Sequence, residues 1–125
     1  MAAPNIVNVS SILGKTDQYA LSSTSQTTIL NNAASSDDVL NVNMIQVANV
    51  DGTNACDITV DVHSAASGGG TAFSLIATAS VAADSSLVVL DKNTAIYLEE
   101  NMSITATAGT ANDLEVIISY EQITD

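Results

Sequence analysis

The stretch Asp57-Ile58-Thr59-Val60-Asp61-Val62-His63 alternates polar and apolar side chains at every step. In an extended chain, successive side chains point to opposite faces. The apolar residues 58, 60 and 62 therefore share one face, and the polar residues 57, 59, 61 and 63 share the other. This pattern predicts a half-buried strand of an antiparallel sheet.

The same alternation recurs along the chain, at 102–107 and at 114–121. Further strands are predicted at 27–30, 39–50, 71–80, 86–90 and 95–98. Within 39–50 the apolar phase changes between Met44 and Ile45, which indicates a β-bulge or a strand that changes sheets. About eight strands at near-regular spacing predict an all-β fold, a single jelly roll or related antiparallel β-sandwich.

The predicted core consists of the apolar residues on one face of each strand. These are Leu40, Val42, Ile58, Val60, Val62, Leu87, Val89, Ile96, Leu98, Ile104, Leu114, Val116 and Ile118.

Residues 1–21 differ from the rest of the chain, and we expect an extended N-terminal arm or an edge strand there, followed by a sandwich domain at 22–125. The segment carries an apolar set with a period near two, which is suited to adding a strand to a neighbour's sheet. We expect this set to form a partner interface: Ile6, Val7, Val9, Ile12 and Leu13.

Two turn signals stand out between the strands. Asp51-Gly52-Thr53-Asn54 is typical of a hairpin turn, because Asp-Gly tolerates positive φ. Ser67-Gly68-Gly69-Gly70 indicates a flexible loop. It lacks the lysine and the following helix that a phosphate-binding loop needs.

The charge balance excludes several partners. The chain has 2 Lys+Arg, namely Lys15 and Lys92, against 14 Asp+Glu, for a formal net charge of -12. Two cations cannot neutralise a phosphate backbone, and an acidic surface is repelled by anionic lipid, so neither nucleic acid nor a membrane is an expected partner. We see no secretory signal and no apolar run long enough for a membrane helix, and we expect synthesis in a host cytoplasm without export by a signal peptide.

No catalytic, metal-binding or cofactor-binding residues are expected. Asp57, Asp61 and His63 share a strand face but span about 20 Å, too far apart to ligate one ion. His63 has no nucleophile near it in sequence. Cys56, the single cysteine, cannot form an internal disulfide, and we expect it to be a small buried apolar residue. The chain is therefore not expected to be an enzyme.

A host- or glycan-binding β module is the alternative from another functional class. Sugar sites often use an aromatic platform beside carboxylates or calcium, and the local candidate is Tyr97 with Glu99 and Glu100. Aromatic residues make up only 3% of the chain, which disfavours a broad platform.

Four stretches resemble small virion structural proteins of marine tailed bacteriophages. They are the opening Ala3-Pro4-Asn5-Ile6-Val7-Asn8-Val9, the turn region 47–54, the segment 90–100 and the strand 114–121. The resemblance implies a virion component present in many copies and without enzymatic activity.

From this resemblance we expect a capsid decoration (cement) protein on the exterior of the virion. Its partner would be the major capsid protein or another virion protein, and the chain would form a homo-oligomer, with a trimer favoured. A neck, tail or fibre component of the same kind of particle is the alternative within that class.

Overall fold

The computed structural model describes residues 4–125, and its regular secondary structure is almost entirely β-strand. Nine strands are present in that part of the chain: β1 (Ser11–Ala20), β2 (Thr27–Asn32), β3 (Asp38–Asn49), β4 (Cys56–His63), β5 (Ala72–Val81), β6 (Ser86–Leu90), β7 (Ile96–Leu98), β8 (Met102–Ala108) and β9 (Leu114–Thr124). Two short 3-10 turns, Ala66–Gly68 and Lys92–Thr94, interrupt them. Among the described residues, no helix is long and apolar enough to cross a membrane.

The strands form two antiparallel sheets. The first sheet has the order β1-β9-β3-β6, and β7 also pairs with β3. The second sheet has the order β2-β8-β4-β5. The chain crosses between the sheets at nearly every connection, and β6 and β7 act as one interrupted strand along β3. This interleaving is a jelly roll of eight strand positions, so the predicted fold class is confirmed.

The core lies between the two sheets and contains the predicted residues. Nine of the thirteen predicted core residues are among those fully buried there, and Val62, Leu87, Val89 and Ile96 pack against them while partly exposed. Cys56 is also buried in the core, in agreement with the sequence.

A β-bulge in β3 explains the change of phase seen in the sequence. The pairing of β3 with β9 shifts register between Val42 and Met44. Because one residue is inserted there, Val42 and Ile45 both face the core and are fully buried, although they are three residues apart.

Two buried asparagines hold the places where the chain passes from one sheet to the other. Asn32, at the end of β2, donates hydrogen bonds of 3.0 Å to the carbonyls of Asp38 and Leu98. Asn49, at the end of β3, donates bonds of 2.9 Å to the carbonyls of Asn54 and Val81. Each amide thereby joins two carbonyl groups of separate segments, and its own buried N–H groups are satisfied.

The turn at Asp51-Gly52 is not a hairpin turn, contrary to the sequence interpretation. It joins β3 of the first sheet to β4 of the second, and Gly52 does not adopt positive φ. The Thr53 N–H donates a 2.8 Å hydrogen bond to Asp51 Oδ1, which lowers the pKa of that carboxyl group below its usual value. The local turn signal was real, but tertiary packing decides which strands a turn connects.

Candidate functional site

The polar residues of β4 do not converge on a metal-binding site. Within residues 4–125 there is no group of three or more His, Cys, Asp or Glu side chains that could hold an ion. Asp61 accepts a 2.7 Å hydrogen bond from the Ser74 hydroxyl, Asp57 is exposed, and His63 is buried.

His63 lies on the outer face of the second sheet but is covered by the loop that follows it. Its Nδ1 lies 3.2 Å from the Gly69 carbonyl, and its Nε2 lies 2.8 Å from Thr105 Oγ1. The side chain is only 3% exposed. Both ring nitrogens thus contact polar groups of the protein, and the imidazole links the loop above it to strand β8.

The loop at 64–71 is held on the sheet by side chains that project from neighbouring strands. The backbone N–H of Ser67 donates to Asn31 Oδ1 at 2.7 Å, and that of Gly68 donates to Ser103 Oγ at 2.8 Å. Ser103 Oγ in turn donates to the Ala65 carbonyl at 2.8 Å. The glycine-rich segment, which the sequence indicated as flexible, is therefore tied to the outer face of the sheet.

The glycines of this loop have a conformational role. Gly68 and Gly70 have φ of +73° and +65°, in the left-handed region that favours glycine. A Cβ atom at Gly70 would lie 2.5 Å from Ser64 Oγ and 2.9 Å from the Ala65 nitrogen. These contacts explain why glycine occupies that position.

The candidate glycan residues do not form a single site. Tyr97 is half exposed on the outer face of the first sheet, and Glu99 is exposed beside it. Both carboxylate oxygens of Glu100, however, are buried, and neither has a hydrogen-bond partner among the described residues. Glu100 therefore cannot receive a sugar hydroxyl at the surface that Tyr97 presents.

The segment before β1 makes a turn instead of continuing as a strand. Asn5 Oδ1 accepts a 3.0 Å hydrogen bond from the Val7 N–H, and the Asn5 carbonyl accepts one of 3.1 Å from the Asn8 N–H. These bonds reverse the chain, because an asparagine side chain can mimic a backbone turn. The apolar alternation with a period near two therefore corresponds to a β-strand only from Ser11 onward.

Residues 4–7 place apolar side chains beside the first sheet. Pro4 is buried, and together with Ile6, Val39, Tyr97 and Glu99 it lines a surface hollow of about 350 Å³. Ile6 remains 48% exposed and Val7 89% exposed. Val9 is partly exposed.

Strand β1 forms one edge of the first sheet. It pairs with β9 along its whole length, from Ser11 opposite Thr124 to Ala20 opposite Glu115. Ile12 and Leu13 point to opposite faces, and they are 54% and 50% exposed. The five residues proposed as an interface are therefore divided between the turn segment (Ile6, Val7 and Val9) and this edge strand (Ile12 and Leu13).

A hydrogen bond fastens the edge strand to its neighbour. The Tyr120 hydroxyl donates to Asp17 Oδ2 at 3.0 Å. Burial, followed by this bond, raises the pKa of Tyr120 to about 12, and burial together with the charge of Asp17 raises the pKa of Tyr19. No local pattern in the sequence indicates this pair, because the two residues lie 103 positions apart.

A polar hollow of about 300 Å³ lies near this edge, and its polar groups are largely bonded to one another. It is lined by residues that include Lys15, Asn32, Asp38, Tyr120 and Gln122. Asp38 accepts hydrogen bonds of 2.8 Å from Gln122 and 2.6 Å from Thr124. The hollow therefore presents few free groups to a ligand.

Comparison with known proteins supports the fold. No known protein family matches the sequence, and no curated protein matches it. The chain is similar to a solved structure described as "Bacillus endospore appendages form a novel family of disulfide-linked pili", with a TM-score of 0.53 and 14% identity over 100% of this chain and 98% of that one. Identity this low shows a shared fold and no more.

A second similarity is more distant. It is to a chain of the "Structure of infectious bursal disease virus Gt strain", with a TM-score of 0.38 and 10% identity. It covers 89% of this chain and 32% of the viral chain, and it is too distant to establish a shared fold.

Proposed function

We propose that this chain is a non-enzymatic structural subunit of a bacteriophage virion, and that it decorates the outer surface of the major capsid shell. The observation that carries the proposal is a contrast between two regions. The groups that could do chemistry, His63 and Cys56, are buried in the fold, whereas the edge strand β1 is exposed along most of its length. A surface of this kind is suited to association.

The resemblance to small virion proteins of marine phages is the reason for proposing a bacteriophage virion as the particle. The jelly-roll fold agrees with this role, since the protein of similar fold is described as part of a pilus, which is also a many-copy assembly. That pilus is described as disulfide-linked. Cys56 is buried here, so copies of this chain would be joined by noncovalent contacts.

On the shell, decoration would bridge neighbouring capsid subunits, with trimers at local three-fold positions. A protein that binds only the assembled shell stabilises it by RT ln(1 + [L]/Kd) at each site. Many weak sites then raise the stability of the whole particle.

Copy number in the particle distinguishes decoration from the alternatives. We would purify virions of a phage that encodes the chain and measure its molar ratio to the major capsid protein by quantitative gel densitometry. If the chain decorates the shell, its copy number should be of the same order as that of the major capsid protein. A neck, tail or fibre component predicts a small fraction of that ratio, and absence from the particle contradicts both roles.

Binding to stripped shells gives a second test. Adding the purified chain should restore their thermal stability in a saturable way, whereas an unrelated acidic protein of similar size should not. A glycan array together with a calcium titration tests the alternative of a sugar-binding module at Tyr97 and Glu99.

A further inference from the structure

One side of β1 pairs with β9, and no strand within residues 4–125 pairs with its other side. Leu21 donates its N–H to the Leu114 carbonyl of β9 at 2.9 Å, and the Ser119 hydroxyl contacts the Lys15 carbonyl. In an antiparallel ladder, the direction of the backbone groups alternates along the strand. The odd-numbered residues of β1 therefore face β9, and the even-numbered residues from 12 to 20 direct their N–H and C=O groups outward.

The sequence of this strand is complementary to itself when it is read in the opposite direction. Two copies centred on Thr16 place Lys15 opposite Asp17 of the other copy and Asp17 opposite its Lys15. Leu13 then faces Tyr19, and Ile12 faces Ala20. Two opposite-charge pairs and four apolar pairs thus form across the joint, while Gly14 faces Gln18 and Thr16 faces its own copy.

The hydrogen-bonding pattern agrees with the same register. Residues 12, 14, 16, 18 and 20 form the hydrogen-bonded pairs, with about ten backbone bonds in total across the joint. Residues 13, 15, 17 and 19 fall in the non-hydrogen-bonded pairs, where opposite side chains are closest. The charged pair and the Leu13–Tyr19 pair therefore occupy the positions at which side-chain contacts are strongest.

Repulsion between like charges disfavours the two registers centred on Lys15 and on Asp17. Moving the two-fold centre to Lys15 places two lysines face to face, and moving it to Asp17 places two aspartates face to face. Like charges directly opposite are destabilising. A lysine on an edge strand normally discourages pairing, but here Asp17 removes that obstacle in one register alone.

We infer that two copies of this chain associate through β1, antiparallel about a two-fold axis at Thr16, and so join their five-stranded sheets into one. The occupant of the edge is a second copy because the edge complements its own sequence in charge and in the positions of its outward backbone groups. This interface goes beyond the proposed function and does not depend on it. On a shell, it would link neighbouring trimers across two-fold positions.

Charge reversal tests the interface in solution. Lys15→Asp places aspartates opposite one another in both pairs, and it should weaken dimerisation about tenfold in sedimentation experiments over a concentration series. The matched control is Lys92→Asp, which makes the same change of charge away from β1 and should leave the dimer unchanged. Lys15→Asp combined with Asp17→Lys restores the opposite pairs but removes the acceptor of the Tyr120 hydrogen bond, so the double variant should dimerise more tightly than either single variant without reaching the wild type.

Cross-linking tests the register without relying on affinity. An equimolar mixture of Lys15→Cys and Asp17→Cys chains should form a mixed disulfide, because those positions face each other with close Cβ atoms. The control mixture, Lys15→Cys with Gln18→Cys, places the thiols on opposite faces of the joined sheet and should not. The buried Cys56 is present in every variant, and circular dichroism checks that each variant is folded.

The outcomes separate cleanly. A charge-sensitive dimer with the 15–17 disulfide supports the inference. A wild-type chain that stays monomeric up to about 1 mM, a dimer indifferent to Lys15→Asp, or preferential 15–18 cross-linking overturns it. The copy number measured in virions bears on the decoration role alone, so failure of one proposal is distinguishable from failure of the other.

Discussion

The Tyr120 hydroxyl donates a 3.0 Å hydrogen bond to Asp17 Oδ2, which ties the edge strand β1 to β9 through side chains as well as through the backbone ladder. The bond requires a protonated tyrosine. The pKa of Tyr120 is raised to about 12, chiefly by burial, from an ordinary value near 10.

This shift predicts how stability changes at alkaline pH. A group with a raised pKa in the folded state contributes stability that is complete below pH 10 and is lost as the pH rises toward 12. The free energy of unfolding of the wild type should therefore fall more steeply over this window than that of Tyr120→Phe. At pH 7 the variant should be less stable by about 1 kcal/mol.

Urea denaturation at a series of pH values measures both quantities. The matched control is Tyr97→Phe, whose side chain is half exposed. Its unfolding curve should follow the wild type at every pH. Equal alkaline slopes for wild type and Tyr120→Phe would show that neither burial nor the hydrogen bond to Asp17 raises the pKa of Tyr120 in the folded protein.

The buried His63, which lies beneath the 64–71 loop, gives a second prediction. His63→Ala removes both hydrogen bonds and leaves a cavity under the loop, and it should lower the free energy of unfolding by about 2–3 kcal/mol. Hydrogen exchange of the amides of Ser67 and Gly68 should accelerate more than that of amides in β9. Asp57→Ala, an exposed change on the same strand, is the control; equal effects of the two variants would contradict this role of His63.

The backbone of the same loop gives a third prediction. Gly70→Ala introduces a Cβ atom into the space held by Ser64 and Ala65 at positive φ, and it should destabilise the protein by about 1–3 kcal/mol. Gly14→Ala is the matched control, because nothing lies within 4 Å of its Cβ position. Thermal unfolding compares them. A Gly70→Ala protein as stable as Gly14→Ala would show that the loop adapts without strain.

Glu100 provides a fourth prediction, since its two buried oxygens lack partners among the described residues. An unpaired buried carboxylate opposes folding. Glu100→Gln removes the charge and should increase the free energy of unfolding at pH 7 by about 1 kcal/mol. Glu99→Gln makes the same change at the exposed neighbour and should leave stability within about 0.5 kcal/mol of the wild type. A loss of stability in Glu100→Gln would indicate that the carboxylate has a favourable partner.

Much of the fold could be predicted because the strands of a sandwich carry a period of two. The alternation at 57–63 and at 114–121 located β4 and β9, and the change of phase between Met44 and Ile45 indicated a bulge that the structure places just before it, between Val42 and Met44. What could not be predicted depends on contacts between distant segments. The roles of Asn32 and Asn49 are one example, because an asparagine that bridges two carbonyls looks the same in sequence as one in a loop.

In the candidate site, too, local features could be predicted from the sequence, whereas contacts between distant residues could not. His63 was placed correctly on the polar face of its strand, but its burial depends on a loop that folds back over it. The pairing of Tyr120 with Asp17 joins residues 103 positions apart, so no local pattern could reveal it. The self-complementarity of β1 was present in the sequence all along, and it gained meaning only once β1 was known to form an edge.

The N-terminal segment gives the last prediction. Residues 4–10 are attached to the sandwich by few bonds, among them the 2.9 Å bond from the Ser10 N–H to the Thr124 carbonyl and the packing of Pro4 in the hollow with Val39. Deleting residues 1–10 should therefore leave the sandwich folded, with a loss of about 1–3 kcal/mol from the exposure of apolar surface. We expect attachment to capsid shells to weaken, because Ile6, Val7 and Val9 are removed from the proposed interface.

Deleting residues 1–13 also removes Ile12 and Leu13, and it should additionally weaken the β1 dimer. Circular dichroism melts and shell co-sedimentation compare the two truncations with the full chain. If the shorter deletion unfolds the protein, the segment is part of the fold; if it binds shells at full strength, the segment is not part of the interface.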